Sequence, residues 1–330
     1  MQLTQAINKF AIETPKAIAT VYRGRRTSFD TFRNRVARFA GGLNGLGVLP
    51  GDRVGILALN SDRYLEFLFG TFWASAVINP VNIRWSVDEI AYSLNDCNTC
   101  VLLVDENFIN LIPELRAKCP GLRAVINLGE SSDMPGTEAY EAWLDRSDAI
   151  DDTAGGGKQL AAILYTGGTT GVPKGVMLSH ENLLANALSA LAAAPRPSIS
   201  SALHAAPMFH VGGLAAILQT MLRGATHVVL PQFDSTEFLT TISKECVNET
   251  FLVPTMLQRI LDDPEFSQHD VSQVKNIIYG AAPIDSSLLR RAISAFPNSQ
   301  FMQVYGMTEV GPVAAILPPF YHTIVGQTFN

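Results

Sequence analysis

The chain has 330 residues, 24 basic against 30 acidic side chains for a formal net charge of −6, 47% apolar residues and 16% charged ones. At roughly 150 residues per domain this suggests about two domains with well-formed cores, and it excludes disordered, collagen-like and low-complexity chains. Net acidity also argues against nucleic-acid partners, because coating a phosphate backbone needs many Lys and Arg to release counterions.

The start, Met1-Gln2-Leu3-Thr4-Gln5, lacks the basic and then apolar segment of a signal peptide. No apolar run approaches the roughly 20 residues of a membrane span, so a cytoplasmic chain without a transmembrane segment is expected. From there, short apolar runs alternate with helical periodicities, which predicts an α/β fold of two layered αβα subdomains with largely parallel sheets. Strands are expected at Ala17–Tyr22, Arg53–Ala58, Ala76–Pro80, Val101–Val104, Arg123–Asn127, Leu160–Tyr165, Val176–Ser179, Ser201–Ala205, Thr226–Leu230, Thr250–Val253, Asn276–Tyr279 and Gln300–Val304. Amphipathic helices are expected between them, among others at Asp30–Leu43, Ser86–Asn95, Phe108–Lys118, Asn182–Ala193, Thr236–Cys246 and Ser286–Phe296.

Ser86 and Glu89 have capping-box spacing, the hydroxyl accepting from the third helical amide while the carboxylate reaches back. Cys97-Asn98-Thr99-Cys100 spells C-x-x-C, but with no second pair or His nearby it reads as a helix end running into a buried strand. The stretch 145–158, with Asp151-Asp152-Thr153-Ala154-Gly155-Gly156-Gly157, is polar and glycine-rich and reads as a flexible joint. It divides the chain into a first α/β region, 1–150, and a second, 151–330, the two subdomains interleaving.

After the strand ending at Tyr165 comes Thr166-Gly167-Gly168-Thr169-Thr170-Gly171-Val172-Pro173-Lys174-Gly175. Glycines let successive amides turn toward one point and build an anion-binding concavity, to which the threonines add hydroxyls and Lys174 a full charge. No Asp or Glu lies between Asp152 and Glu181, whereas Lys158 and Lys174 do, so an acidic chain carries a neutral-to-positive island here. The spacing is not that of a Walker A loop.

The run from Tyr165 to His180 resembles the signature of the adenylate-forming superfamily of acyl-CoA synthetases, luciferases and peptide-synthetase adenylation domains. Its TGGTTG form is similar to fatty-acyl-CoA ligases, which implies an aliphatic acid substrate and an acyl-CoA synthetase-like large domain. The loop would then close over the triphosphate of ATP. Gln303-Val304-Tyr305-Gly306-Met307-Thr308-Glu309 resembles the second signature of that family. By this resemblance Thr308 would bond the α-phosphate, Tyr305 would stack on adenine beside Gly306, and Glu309 would hold Mg²⁺, with Thr166 as a further oxygen ligand. Glu309 is the only acidic side chain after Asp285, and hard Mg²⁺ takes one or two carboxylates plus phosphate oxygens.

Tyr279-Gly280-Ala281-Ala282-Pro283 resembles the segment lining the adenine pocket, where small residues allow close approach of a flat ring. Ala206-Pro207-Met208-Phe209-His210 resembles the Pro-aromatic-His element, whose His borders the carboxylate pocket and the CoA tunnel. The implied chemistry joins a small carboxylic acid, ATP and CoA through an acyl-adenylate, with positioning and electrostatics in place of a side-chain nucleophile.

Members of the family continue past Tyr-Gly-x-Thr-Glu to a barrel subdomain, a ribose-binding Asp and a small lid domain with a catalytic Lys. A chain ending at Asn330 is therefore expected to turn over slowly or not at all. The alternative is a nucleotide- or acyl-binding module without turnover. The acceptor thiol and the acid's length stay open, and a homodimer is compatible with the sequence.

Overall fold

The computed structural model describes residues 2–129, 136–167, 171–194, 196 and 201–323. The strands are β1 Ile18–Tyr22, β2 Arg25–Ser28, β3 Arg53–Leu57, β4 Val77–Pro80, β5 Thr99–Val104, β6 Ala124–Asn127, β7 Glu138–Ala139, β8 Leu160–Thr166, β9 Lys174–Ser179, β10 Ser201–His204, β11 Thr226–Val229, β12 Glu249–Leu252, β13 Asn276–Gly280, β14 Gln300–Gly306 and β15 Val313–Leu317. The α-helices are α1 Gln5–Glu13, α2 Phe29–Gly45, α3 Asp62–Trp73, α4 Val87–Asp96, α5 Ile112–Lys118, α6 Tyr140–Arg146, α7 His180–Ala193, α8 Val211–Leu222, α9 Ser235–Lys244, α10 Pro254–Leu261, α11 Ser286–Ala295 and α12 Phe320–Thr323. Every expected strand is present with its ends within two residues of the reading. Among the described residues, no helix is long and apolar enough to cross a membrane.

Two sheets form, ordered β7-β6-β5-β3-β4-β8-β9 and β15-β14-β13-β12-β10-β11-β1-β2. Pairing is parallel along the central strands of each sheet, β6-β5-β3-β4-β8 and β14-β13-β12-β10-β11-β1, whereas β8–β9 and β14–β15 are antiparallel. The chain divides into two compact units, one of Met1–Ala17, Thr27–Leu184 and Met208–His210, the other of Ile18–Arg26, Ala185–Pro207 and Val211–Asn330. They interleave along the sequence, and each holds one sheet.

In the first unit α3 is buried along its whole length. Its rings Phe67, Phe69 and Phe72 pack edge-on against other aromatic rings of this unit. A methyl on Gly70 would lie 2.3 Å from the Phe39 ring, so the missing side chain is what lets α2 and α3 approach. Glu66 is buried in α3, and Arg35 neutralises it at 2.6 Å. In the second unit Leu203, Val228, Leu252, Ile277 and Phe301 of the sheet pack with Phe238, Leu239 and Leu257 of the helices.

Helix starts follow the expected chemistry: Ser28, Ser61, Ser86, Asp234 and Asp285 each accept a first-turn amide, and Ser86 with Glu89 completes the capping box. Cys97 ends α4 and Cys100 lies inside β5, both as buried thiols. The stretch read as a flexible joint is instead fastened within the first unit. Thr4 donates to Asp152 at 2.6 Å, Thr153 donates through its amide and hydroxyl to the Trp73 carbonyl, and a methyl on Gly155 would meet Ser75 at 2.5 Å. Its glycine and polar residues answer close packing and turn geometry there.

Candidate functional site

The first unit carries the Gly/Thr loop between β8 and β9. Thr166 stands opposite Lys174 in the antiparallel register, so the hydroxyl and the ammonium flank the two ends of the loop. Gly171 has φ +83°, a left-handed conformation that favours glycine. Gly175 lacks a side chain because a methyl there would lie 2.8 Å from Ile163 and 3.1 Å from the Tyr165 ring. Tyr165 is fixed in turn by donating to Asp96 at 2.6 Å. Lys174 and Gly167 are exposed, whereas Gly168, Thr169 and Thr170 lie outside the described residues.

His210 also belongs to the first unit. It is exposed, with its ring centroid 4.2 Å from that of Phe209. Partial desolvation of the ring, and secondarily the charge of Arg84, hold its imidazole below the ordinary value. The segment before it is pinned by the Met208 amide, which donates to the buried Asn60 side chain at 2.8 Å.

The second unit brings the other expected residues together at the carboxyl ends of two adjacent parallel strands. Gly280 of β13 pairs with Val304 of β14, which places Gly280-Ala281-Ala282-Pro283 next to Tyr305-Gly306. Ligands of open α/β sheets bind outside these strand ends. The strand β14 runs two residues past the expected end because β15, added by the structure between Pro312 and Pro318, pairs with it. A register shift between Tyr305 and Gly306 breaks that ladder, a device that re-aims side chains beside functional sites.

Tyr305 remains 68% exposed, an aromatic face open to a planar partner. A methyl on Gly306 would fall 1.8 Å from the Pro312 carbonyl oxygen. Ala281 takes φ +68°, strained for a residue with a side chain. Thr308 opens a single 3₁₀ turn that also carries the exposed Glu309. Among the described residues, no group of three or more His, Cys, Asp or Glu is arranged to hold a metal.

A cavity of about 110 Å³ opens behind these strand ends, wholly within the second unit. Ala281, Tyr305 and Gly306 line one end, and its walls are mainly apolar, including Val211, Gly212, Phe251, Ile278 and Met302. Gly212 supplies room, since a methyl there would lie 3.1 Å from Phe251. The sequence reading missed the polar residues of this cavity, among them Arg196, His204, Gln219 and Glu249. Glu249 brings a charge into the buried start of an otherwise uncharged strand, and that was the one available signal; Arg196 and Gln219 carry none. His204 and His227 share a 3.0 Å hydrogen bond, and burial holds His204 down to about 3 and His227 well below its ordinary value.

The family described as AMP-binding enzyme matches residues 7–328. A feruloyl-CoA synthase of an Amycolatopsis species is 34% identical over 305 residues, 92% of this chain and 59% of that protein. The fatty acid–[acyl-carrier-protein] ligase ScoC of Streptomyces coeruleorubidus is 32% identical, over 98% of this chain and 62% of its own length. The crystallised N-terminal domain of FACL13 from Mycobacterium tuberculosis superposes with a TM-score of 0.87 at 27% identity, covering 96% of this chain and 78% of that one. The chain thus spans about three fifths of the length of these curated relatives.

Proposed function

Because the chain belongs to the AMP-binding enzyme family, we propose that it supplies the acid- and ATP-binding part of a ligase that activates a carboxylic acid as acyl-adenylate and passes it to CoA. The observation that carries this reading is the continuity of the cavity with Ala281, Tyr305 and Gly306 at the strand ends. An acid lying in the cavity would present its carboxylate where those residues receive a nucleotide.

A carboxylate resists attack because its charge is delocalised and its leaving group would be oxide. In the first step a carboxylate oxygen bonds to the α-phosphorus of ATP, the bond from that phosphorus to the β-bridging oxygen breaks, and pyrophosphate leaves. In the second step the CoA sulfur bonds to the acyl carbon, its thiol proton is lost, and AMP departs. The protein contributes orientation and fixed charge. Lys174 and the loop from Thr166 through Gly171 would hold the pyrophosphate, Thr308 the α-phosphate, and Tyr305 with the Gly280–Pro283 segment the adenine. His210 would border the carboxylate pocket.

Glu309 is a hard oxygen donor of the kind Mg²⁺ accepts, and the ion, when bound with ATP, would supply charge neutralisation on the phosphates. The mainly apolar walls support an acid with a hydrophobic body. The relatives' own acids range from feruloyl to fatty.

The test is a single turnover with the chain in excess over ATP, Mg²⁺ present and the acid labelled with ¹⁸O in its carboxylate. The reading expects pyrophosphate and AMP, with one labelled oxygen carried into the AMP phosphate. ADP as product, or unlabelled AMP, would overturn it.

A further inference from the structure

The cavity of the second unit has two chemically different ends. Opposite the strand-end residues Ala281, Tyr305 and Gly306 sit Arg196, Gln219 and Glu249. Glu249 pairs in register with Asn276, four residues before Gly280 on β13. At ~3.3 Å rise per residue the two ends are therefore ~13 Å apart along the sheet. Between them the walls are mainly apolar, with His204, Thr220 and Thr250 as polar exceptions.

The inner end is charged and dry. Side-chain exposure is 4% for Arg196, 6% for Glu249 and 17% for Arg223. Arg196 bonds Glu249 at 3.0 Å and Gln219 at 2.5 Å, and Arg223 bonds the same carboxylate through both of its terminal nitrogens. Two guanidinium groups thus share one carboxylate, which leaves one positive charge in excess. The Nε of Arg196 is buried and has no hydrogen-bond partner among the described residues. An uncompensated charge and an idle donor in a dry site are each costly. An alkyl tail ending at this point would relieve neither.

We propose that this inner end recognises a hydrogen-bond-accepting group at the far end of the acid, an anionic one such as a second carboxylate best. The substrate class is then an ω-substituted acid with an apolar middle, in place of the plain fatty acid that the loop motif suggests. The inference rests on reading the cavity as the acid pocket. A merely structural ion pair would tie Arg196 to β12 and give no preference among acids.

The experiment titrates matched acids of four to ten carbons into the chain by calorimetry, comparing each monoacid with its ω-hydroxy and α,ω-dicarboxylic counterparts, and measures Mg²⁺-ATP binding separately. At the best length the diacid is expected to bind at least tenfold more tightly than the monoacid. Arg196→Met, which keeps most of the stem, is expected to abolish that preference. Equal or tighter binding of the monoacid, or binding of no acid at all, overturns the proposal, and this comparison needs no variant to fold. ATP binding without the preference would leave the activation chemistry standing while removing distal recognition. The preference without ATP binding would do the reverse.

Discussion

A methyl group built on Gly280 would lie 2.2 Å from the carbonyl oxygen of Val304, its partner across the β13–β14 ladder. The glycine at this strand end is therefore set by the backbone of the neighbouring strand, which has no rotamer with which to yield. Gly280→Ala should force the two strand ends apart, at a cost of about 1–3 kcal/mol for overpacking. A denaturant midpoint lowered accordingly, together with weakened ATP binding, is expected; a midpoint equal to that of the parent chain contradicts the packing argument.

One residue on, Ala281 holds φ +68°. The left-handed region costs a residue with a Cβ about 1–2 kcal/mol, while glycine gives back about 0.5–1 kcal/mol in unfolded-state entropy. Ala281→Gly should thus raise stability by roughly 0.5–1 kcal/mol. Chemical unfolding of the two proteins side by side reads this directly, and a loss of stability would show that the methyl packs favourably enough to outweigh the strain.

Glu309→Gln removes a full negative charge from an exposed turn and leaves the shape unchanged. The fold should persist, with ATP affinity in the absence of metal unchanged or slightly improved. Enhancement of that affinity by added Mg²⁺ should fall by at least tenfold. Calorimetry with and without the ion separates the two effects, and full retention of the enhancement would take Glu309 out of the metal site.

Acid should destabilise the chain through its buried imidazoles. Burial holds His180 down to about 4 and His204 to about 3, with His227 also well below its ordinary value. In the unfolded chain each protonates near its unperturbed value of ~6.5. Below that pH the unfolded state binds more protons than the folded one, so stability falls as pH falls, by about 1.4 kcal/mol per pH unit for each ring. The loss for His180 continues down to its folded value of about 4. Denaturant midpoints from pH 7 to pH 4.5 should decline, and His180→Leu should flatten the decline by one proton's worth. A variant with the parent's slope would mean that His180 protonates without unfolding.

The strands and the helix starts were legible because they rest on local chemistry: apolar runs bounded by turns, and serines ahead of helices. The segment around 151–158 misled because glycine and aspartate look alike in a joint and in a loop packed tightly on Ser75, Trp73 and Thr4; only the partners distinguish them. β15 escaped because a half-exposed edge strand between two prolines has no burial pattern of its own, although it settles how far β14 extends. The inner end of the cavity was the least legible part. Arg196, Gln219, Arg223 and Glu249 are scattered over more than fifty positions, and their meaning arises only where the sheet and α8 bring them into one dry cluster.

The central claim is that the acid and the adenosine end of the nucleotide meet at the strand ends of the second unit, and a stable acyl sulfamoyl-adenosine tests it most directly. Joining the two ligands in their bound geometry removes the entropic cost of assembling them. With the acyl group of whichever acid binds best, this compound should bind the chain at least a hundredfold more tightly than either AMP or the free acid, and should displace both. Affinity no better than that of AMP, or failure to displace the acid, would contradict a shared site.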